Sequence, residues 1–91
     1  KAADRGHAAA LNNLGLMYLY GRGTPRDESM AFKLFVKAES QGNAFAQFNL
    51  GTMYLNGLGL PKDAEEAVRW FKKAADKGHA AAQTKLKELG R

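Results

Sequence analysis

Three observations predict an all-α fold, an α-solenoid of stacked antiparallel helix pairs. The window 7–42 slides onto 43–78 without a gap, and 17 of the 36 positions are identical. So dense a match at one fixed period marks a repeat architecture. Within each copy, apolar residues recur at the i, i+3, i+4, i+7 spacing of a helix face. Gly21, Gly23 and Pro25 fall at the same places as Gly57, Gly59 and Pro61 and cut each copy into two helices, A and B. Stacked pairs of this kind bury one continuous core.

The chain in order is the end of a preceding helix B (1–6), repeat 1 (7–42), repeat 2 (43–78) and helix A of a partial repeat (79–91). Lys1–Gly6 matches Lys37–Gly42 and Lys73–Gly78. Gly6, Gly42 and Gly78 each close a helical pattern, as glycine does at a left-handed C-terminus. His7, Asn43 or His79 then opens the next helix, asparagine being the better cap.

Helix A spans about Ala8 to Tyr20, with Ala8, Leu11, Leu14, Gly15 and Tyr18 on its core stripe. Its copy spans about Ala44 to Asn56, with Gln47, Leu50, Gly51 and Tyr54 in those places. A mid-helix glycine costs about 1 kcal/mol relative to alanine. Its repetition at Gly15 and Gly51 implies close approach of a neighbouring helix.

Asp27 and Asp63 are the expected N-caps of helix B, and Glu66 completes a capping-box pattern with Asp63. Helix B spans about Glu28 to Gln41 and Ala64 to Lys77. Its stripes are Ala31, Leu34, Phe35, Ala38 and Ala67, Trp70, Phe71, Ala74. Acids in its first turns and lysines in its last suit the helix dipole. Glu65–Arg69 and Lys72–Asp76 are spaced as i,i+4 ion pairs. The third helix A starts at Ala80, and Leu86 matches Leu14 and Leu50.

Bulk properties bound the rest. Ninety-one residues suit one small domain with a modest core. The absence of cysteine excludes a disulfide framework or thiolate metal site and fits a reducing compartment. No apolar run approaches the roughly 20 residues of a membrane span. No export signal stands out, and a chain that opens on Lys1 rather than Met reads as a fragment or processed product; the compartment stays open.

The run Ala44-Phe45-Ala46-Gln47-Phe48-Asn49-Leu50-Gly51-Thr52-Met53-Tyr54, followed by Gly57-x-Gly59, Asp63, Ala67, Trp70-Phe71, Ala74-Ala75 and Gly78, resembles the Sel-one-like repeat, or SLR. This is a relative of the tetratricopeptide repeat, and the resemblance covers essentially the whole chain. Leu34, where the second copy has Trp70, is a departure in the first. The resemblance implies a tetratricopeptide-like right-handed superhelix with the A helices lining a concave face. It also implies adaptor or scaffold work through protein–protein contacts, known in bacterial proteins and in membrane-associated protein quality control.

On that frame the helix A positions outside the core stripe are the candidate partner-binding residues. They are Ala9, Asn12, Asn13, Leu16 and Tyr20 in repeat 1, and Phe45, Phe48, Asn49, Thr52 and Asn56 in repeat 2. Ala81, Thr84, Lys85 and Glu88 follow in the partial repeat. Exposed aromatics such as Phe45 and Phe48 are typical anchors for a partner, although packing on the adjacent repeat accounts for them equally. Asn13 and Asn49 share a register. A carboxamide both donates and accepts, so it can hold an extended peptide backbone, but it can equally bond a neighbouring turn and set the stacking of repeats.

The leading expectation is a non-catalytic module that binds a protein or peptide segment. No paired carboxylates share an inner face, no Ser/His/Asp set occurs, and His7 and His79 stand two repeats apart, too far for one metal ion. No cofactor is expected. Gly21-x-Gly23 follows a helix rather than a strand and reads as a turn, not a phosphate loop. The net charge of +5 leaves nucleic-acid or anionic-surface binding as the alternative. However, Lys33, Lys37, Arg69, Lys72, Lys73 and Lys77 all lie on helix B, whose outer face is solvated in this architecture. Self-association is a further expectation, through end faces carrying Ala2, Ala3, Leu86 and Leu89.

Overall fold

A computed structural model describes the backbone of residues 2–91 and the side chains from Gly6 onward. Lys1 and the side chains of Ala2 and Ala3, assigned above to an end face, lie outside the described residues. The chain forms five helices: α1 (Ala2–Tyr20), α2 (Glu28–Ser40), α3 (Ala44–Asn56), α4 (Ala64–Asp76) and α5 (Ala80–Glu88). No strand occurs among the described residues. α1 packs on α2 and α3 on α4 as helical hairpins; α2 joins α3, and α4 joins α5. This is the all-α solenoid of helix pairs that the periodicity implies.

The caps explain why the helices start where they do. Asp27 Oδ1 accepts from the Met30 N–H at 3.0 Å, and Asp63 Oδ1 from the Glu66 N–H at 3.1 Å. Asn43 Oδ1 accepts from the Ala46 N–H at 2.8 Å. The expected capping box closes only halfway. The Asp63 N–H donates to the Tyr54 carbonyl at 2.8 Å, so the Glu66 carboxylate is free to accept from Arg69 at 3.2 Å. Asp27 makes the same return bond to Tyr18, at 2.9 Å. In each repeat the glycine turn therefore folds the N-cap of helix B back on the end of helix A and satisfies a carbonyl that the helix leaves open.

Two expectations fail for stated reasons. Gly42 and Gly78 take φ values of 82° and 86° and turn the chain, but Gly6 stays helical inside α1. Gly42 and Gly78 each sit where one helix folds back onto a packed neighbour, α2 onto α3 and α4 onto α5. The Glu65–Arg69 and Lys72–Asp76 pairs do not form among the described residues: Arg69 goes to Glu66 and Glu65 to Arg91.

Ala8, Leu19, Ala31, Phe35, Ala38, Ala46, Leu50 and Met53 form the core cluster between the two hairpins. Gly15 and Gly51 let the aromatic rings in. A Cβ on Gly15 would stand 2.6 Å from Phe35, and one on Gly51 2.7 Å from Phe71. Leu14, placed on the core stripe by its spacing, is 41% exposed, while its repeat mate Leu50 is fully buried. α2 covers α3 on that side; among the described residues no helix covers α1 there.

Candidate functional site

The A helices carry the candidate residues. From Gly6 to Tyr20, α1 contains no acid, lysine or arginine, and α3 contains none along its length. The surface between them is therefore built from small, aliphatic, aromatic and carboxamide side chains. Ala9, Asn12, Asn13 and Leu16 of α1, with Asn43 and Phe45 of the α3 start, line a hollow of about 340 Å³. A second hollow of about 430 Å³ lies across Phe45, bounded by Ala8, Gln41–Ala44 and Lys77. Phe45 stands between the two and is 61% exposed.

Phe45 is held although its ring is open to solvent. Its ring meets the imidazole of His79 edge-on, with centroids 4.9 Å apart. His79 also lies 5.1 Å from the Phe48 ring, which packs at 5.4 Å on the buried Phe71. Phe48 is thus half-buried between repeats. His79 heads α5 without a side-chain capping bond, so its imidazole is left to the two phenylalanines. The sequence marked His79 as a helix-start residue only; its recurrence beside Phe45 depends on how α5 returns over α3, which spacing does not show.

The two asparagine registers separate. Asn12 is buried, and its Oδ1 accepts from Asn49 Nδ2 at 2.8 Å across the two repeats. Neither is free to contact a partner through that bond. Asn13 is exposed at the edge of the hollow, and Leu16 is half-buried within it. Tyr20, 56% exposed, lies at the far end of α1 under the Arg22 guanidinium. The half-buried Thr52 hydroxyl donates to the Phe48 carbonyl at 3.2 Å, within its own helix. Asn56 and Thr84 are exposed, and Lys85 pairs with Glu88 at 3.2 Å. Neither Tyr20, Thr52, Asn56, Thr84 nor Lys85 lines the hollow beside Phe45. Asn43, read from sequence only as a cap, does.

No cation lines the hollow of Asn13 and Leu16, although Lys77 bounds the second one. Lys33, Lys37, Arg69, Lys72, Lys73 and Lys77 are all exposed on α2 and α4 or at the α4 end. Lys73 rests over the Trp70 ring at 4.8 Å. No group of three or more His, Cys, Asp or Glu side chains is placed to hold a metal among the described residues, and no helix there is long and apolar enough to cross a membrane.

Comparison with known proteins agrees with this architecture. The family profile described as Sel1 repeat matches residues 8–43 and 44–79. The crystal structure of a Sel1 repeat protein from Oxalobacter formigenes superposes with a TM-score of 0.86 at 43% identity, over 90% of this chain and 34% of that one. A protective antigen present in uropathogenic Escherichia coli strains, displaying an SLR fold, superposes with a TM-score of 0.86 at 39% identity, over 96% of this chain and 19% of that one. The chain spans about a third or less of the length of either. No curated protein matches it. With two matched repeats that fill most of its length and five helices paired as these relatives pair theirs, the chain belongs to the Sel1 repeat family, a helical scaffold type that makes protein–protein contacts.

Proposed function

We propose that the chain binds a protein or peptide segment on a concave face made by α1, α3 and α5, with the hollow beside Phe45 as its centre. The observation that carries this reading is an exposed aromatic ring beside an uncharged hollow of about 340 Å³. A large apolar side chain left in solvent but braced by a second ring is a preformed anchor, and such anchors supply most of the affinity of a contact. Asn13 offers a donor and an acceptor at the rim, suited to a peptide backbone. Leu16 supplies the apolar floor. Tyr20, Thr52, Asn56, Thr84 and Lys85 extend the face outward, while Phe48 and Asn49 act behind it by holding repeats in place.

The work done is recognition without chemistry. Binding follows from a surface ordered before the partner arrives. Peptide display on the chain tests it. Selected binders should lose at least about tenfold in affinity on Phe45→Ala and on Leu16→Asp, and should be indifferent to Lys72→Glu. Binders that ignore Phe45 and Leu16 would overturn the reading. Binders that lose affinity steeply with salt and respond to Lys72→Glu would instead establish an anion-binding surface on the B helices.

A further inference from the structure

The hollow beside Phe45 exists because the two junctions between A helices are filled differently. Between α3 and α5, the Phe45 and Phe48 rings close on the His79 imidazole, at centroid distances of 4.9 and 5.1 Å. One repeat earlier in the chain, Ala9, Asn12 and Asn43 hold those three registers. A methyl group and two carboxamides thus stand where the later junction has two rings and an imidazole. Asn12 is turned to Asn49, and Ala9 is exposed. The aromatic volume is missing between α1 and α3, and these three residues line the hollow of about 340 Å³ there.

We propose that the partner supplies the missing ring. It is a peptide segment with an aromatic residue that enters the hollow against Phe45, and with an acidic residue close by in sequence that meets Lys77. The inference rests on the peptide-binding reading of this face and names its guest. Phe45 is 61% exposed, so its ring keeps open surface for a second ring, and paired rings attract beyond the area they bury. A hollow of this size lies at the small end of ligand pockets and suits one large side chain. Leu16 gives that side chain an apolar wall.

Charge selects the neighbour of the ring. The second hollow shares Asn43 and Phe45 with the first and is bounded by Lys77. The Lys77 ammonium approaches Gly42, where a Cβ would stand 3.3 Å from it. No acid lines either hollow, and the chain carries +5. A segment that crosses Phe45 from one hollow to the other therefore meets a cation and no anion. That favours a carboxylate there over lysine or arginine.

Selection from displayed random linear peptides tests the proposal. Binders that depend on Phe45 and Leu16 should be enriched in tryptophan, tyrosine or phenylalanine, with an acid a few positions away. Alanine in place of the peptide's ring residue should cost at least about tenfold in affinity, a readout that does not depend on how any variant of the chain folds. Ala9→Phe puts into the hollow the side chain that repeat 2 carries at this register, at an exposed position, and should weaken the same peptide at least about tenfold. Lys77→Glu should weaken it about two- to fivefold, the scale of one exposed ion pair. Lysine in place of the peptide's acid should recover that loss on the Lys77→Glu chain only. Binders that need Phe45 and Leu16 but carry no ring would overturn this inference and leave the face a binding surface. So would ring-bearing binders that Ala9→Phe leaves unchanged, or a charge exchange that recovers nothing. A selection that yields no binder dependent on Phe45 would overturn the reading of the face and this inference with it.

Discussion

Gly51 and Gly6 are both helical glycines, and they should answer to alanine in opposite ways. A Cβ on Gly51 would stand 2.7 Å from the Phe71 ring, whereas one on Gly6 would meet nothing within 4 Å. Gly51→Ala should therefore destabilise by about 1–3 kcal/mol, the usual cost of overpacking. Gly6→Ala should stabilise by up to about 1 kcal/mol through helix propensity. Urea unfolding of the two variants checks both signs. Leu50 and Leu14 make a second pair. Leu50→Ala should cost about 2–5 kcal/mol, but Leu14→Ala much less, because Leu14 already keeps 41% of its surface in water. Equal losses would mean that Leu14 is covered in solution. The Gly15 and Gly51 contacts were legible in the sequence, since a helix breaker repeated at one register demands a packing reason. The Leu14 exposure was not, because spacing names a face and says nothing of whether a neighbour is present to cover it.

At the level of the helices, the boundaries of α2 to α5 were legible to within a residue or so from the Asp27, Asn43 and Asp63 caps and the glycine turns. The start of α1 was not, since a glycine is compatible with a helix interior as well as with its end, and Gly6 stays helical. Individual ion pairs were also illegible. Glu65 reaches 26 positions along the chain to Arg91, with oxygen–nitrogen contacts of 3.3 and 2.7 Å. The hydrogen bond from Arg91, and then its charge, hold the Glu65 carboxyl below the ordinary carboxylate range. A depressed carboxyl contributes stability above its unfolded pKa, and the contribution is lost as pH falls through the folded value. Hydrogen exchange at the end of α5 should therefore accelerate relative to α3 below about pH 4, and Arg91→Gln should return the Glu65 titration to the ordinary range. An NMR titration showing Glu65 unmoved by Arg91→Gln would remove the tie between α4 and α5.

Across the whole molecule the charge is segregated. The exposed cations sit on α2, α4, α5 and in the glycine turns, while α1 from Gly6 onward and α3 hold no charged side chain. Binding at the hollow beside Phe45 should accordingly vary little between about 50 and 200 mM salt, where a phosphate-contacting surface would lose orders of magnitude. A salt titration of any selected peptide checks this. The stacking of pairs was written plainly in the period of the chain. The hollow was only half-written. Phe45 and Phe48 were singled out together, but one ring packs behind the other's support, and only the return of α5 over α3 decides which.

The hydrogen bond between Asn12 and Asn49 has a mechanical consequence. It pins the first junction between repeats with a short, directional link, and the next junction replaces that pair with Phe48 and Lys85 at the same registers. Rings in contact tolerate sliding that a carboxamide bond does not. The two joints are therefore held by different means, a directional bond at the first and ring contacts that include the His79 imidazole at the second, so Asn12→Ala should loosen the first joint and leave the second as it is.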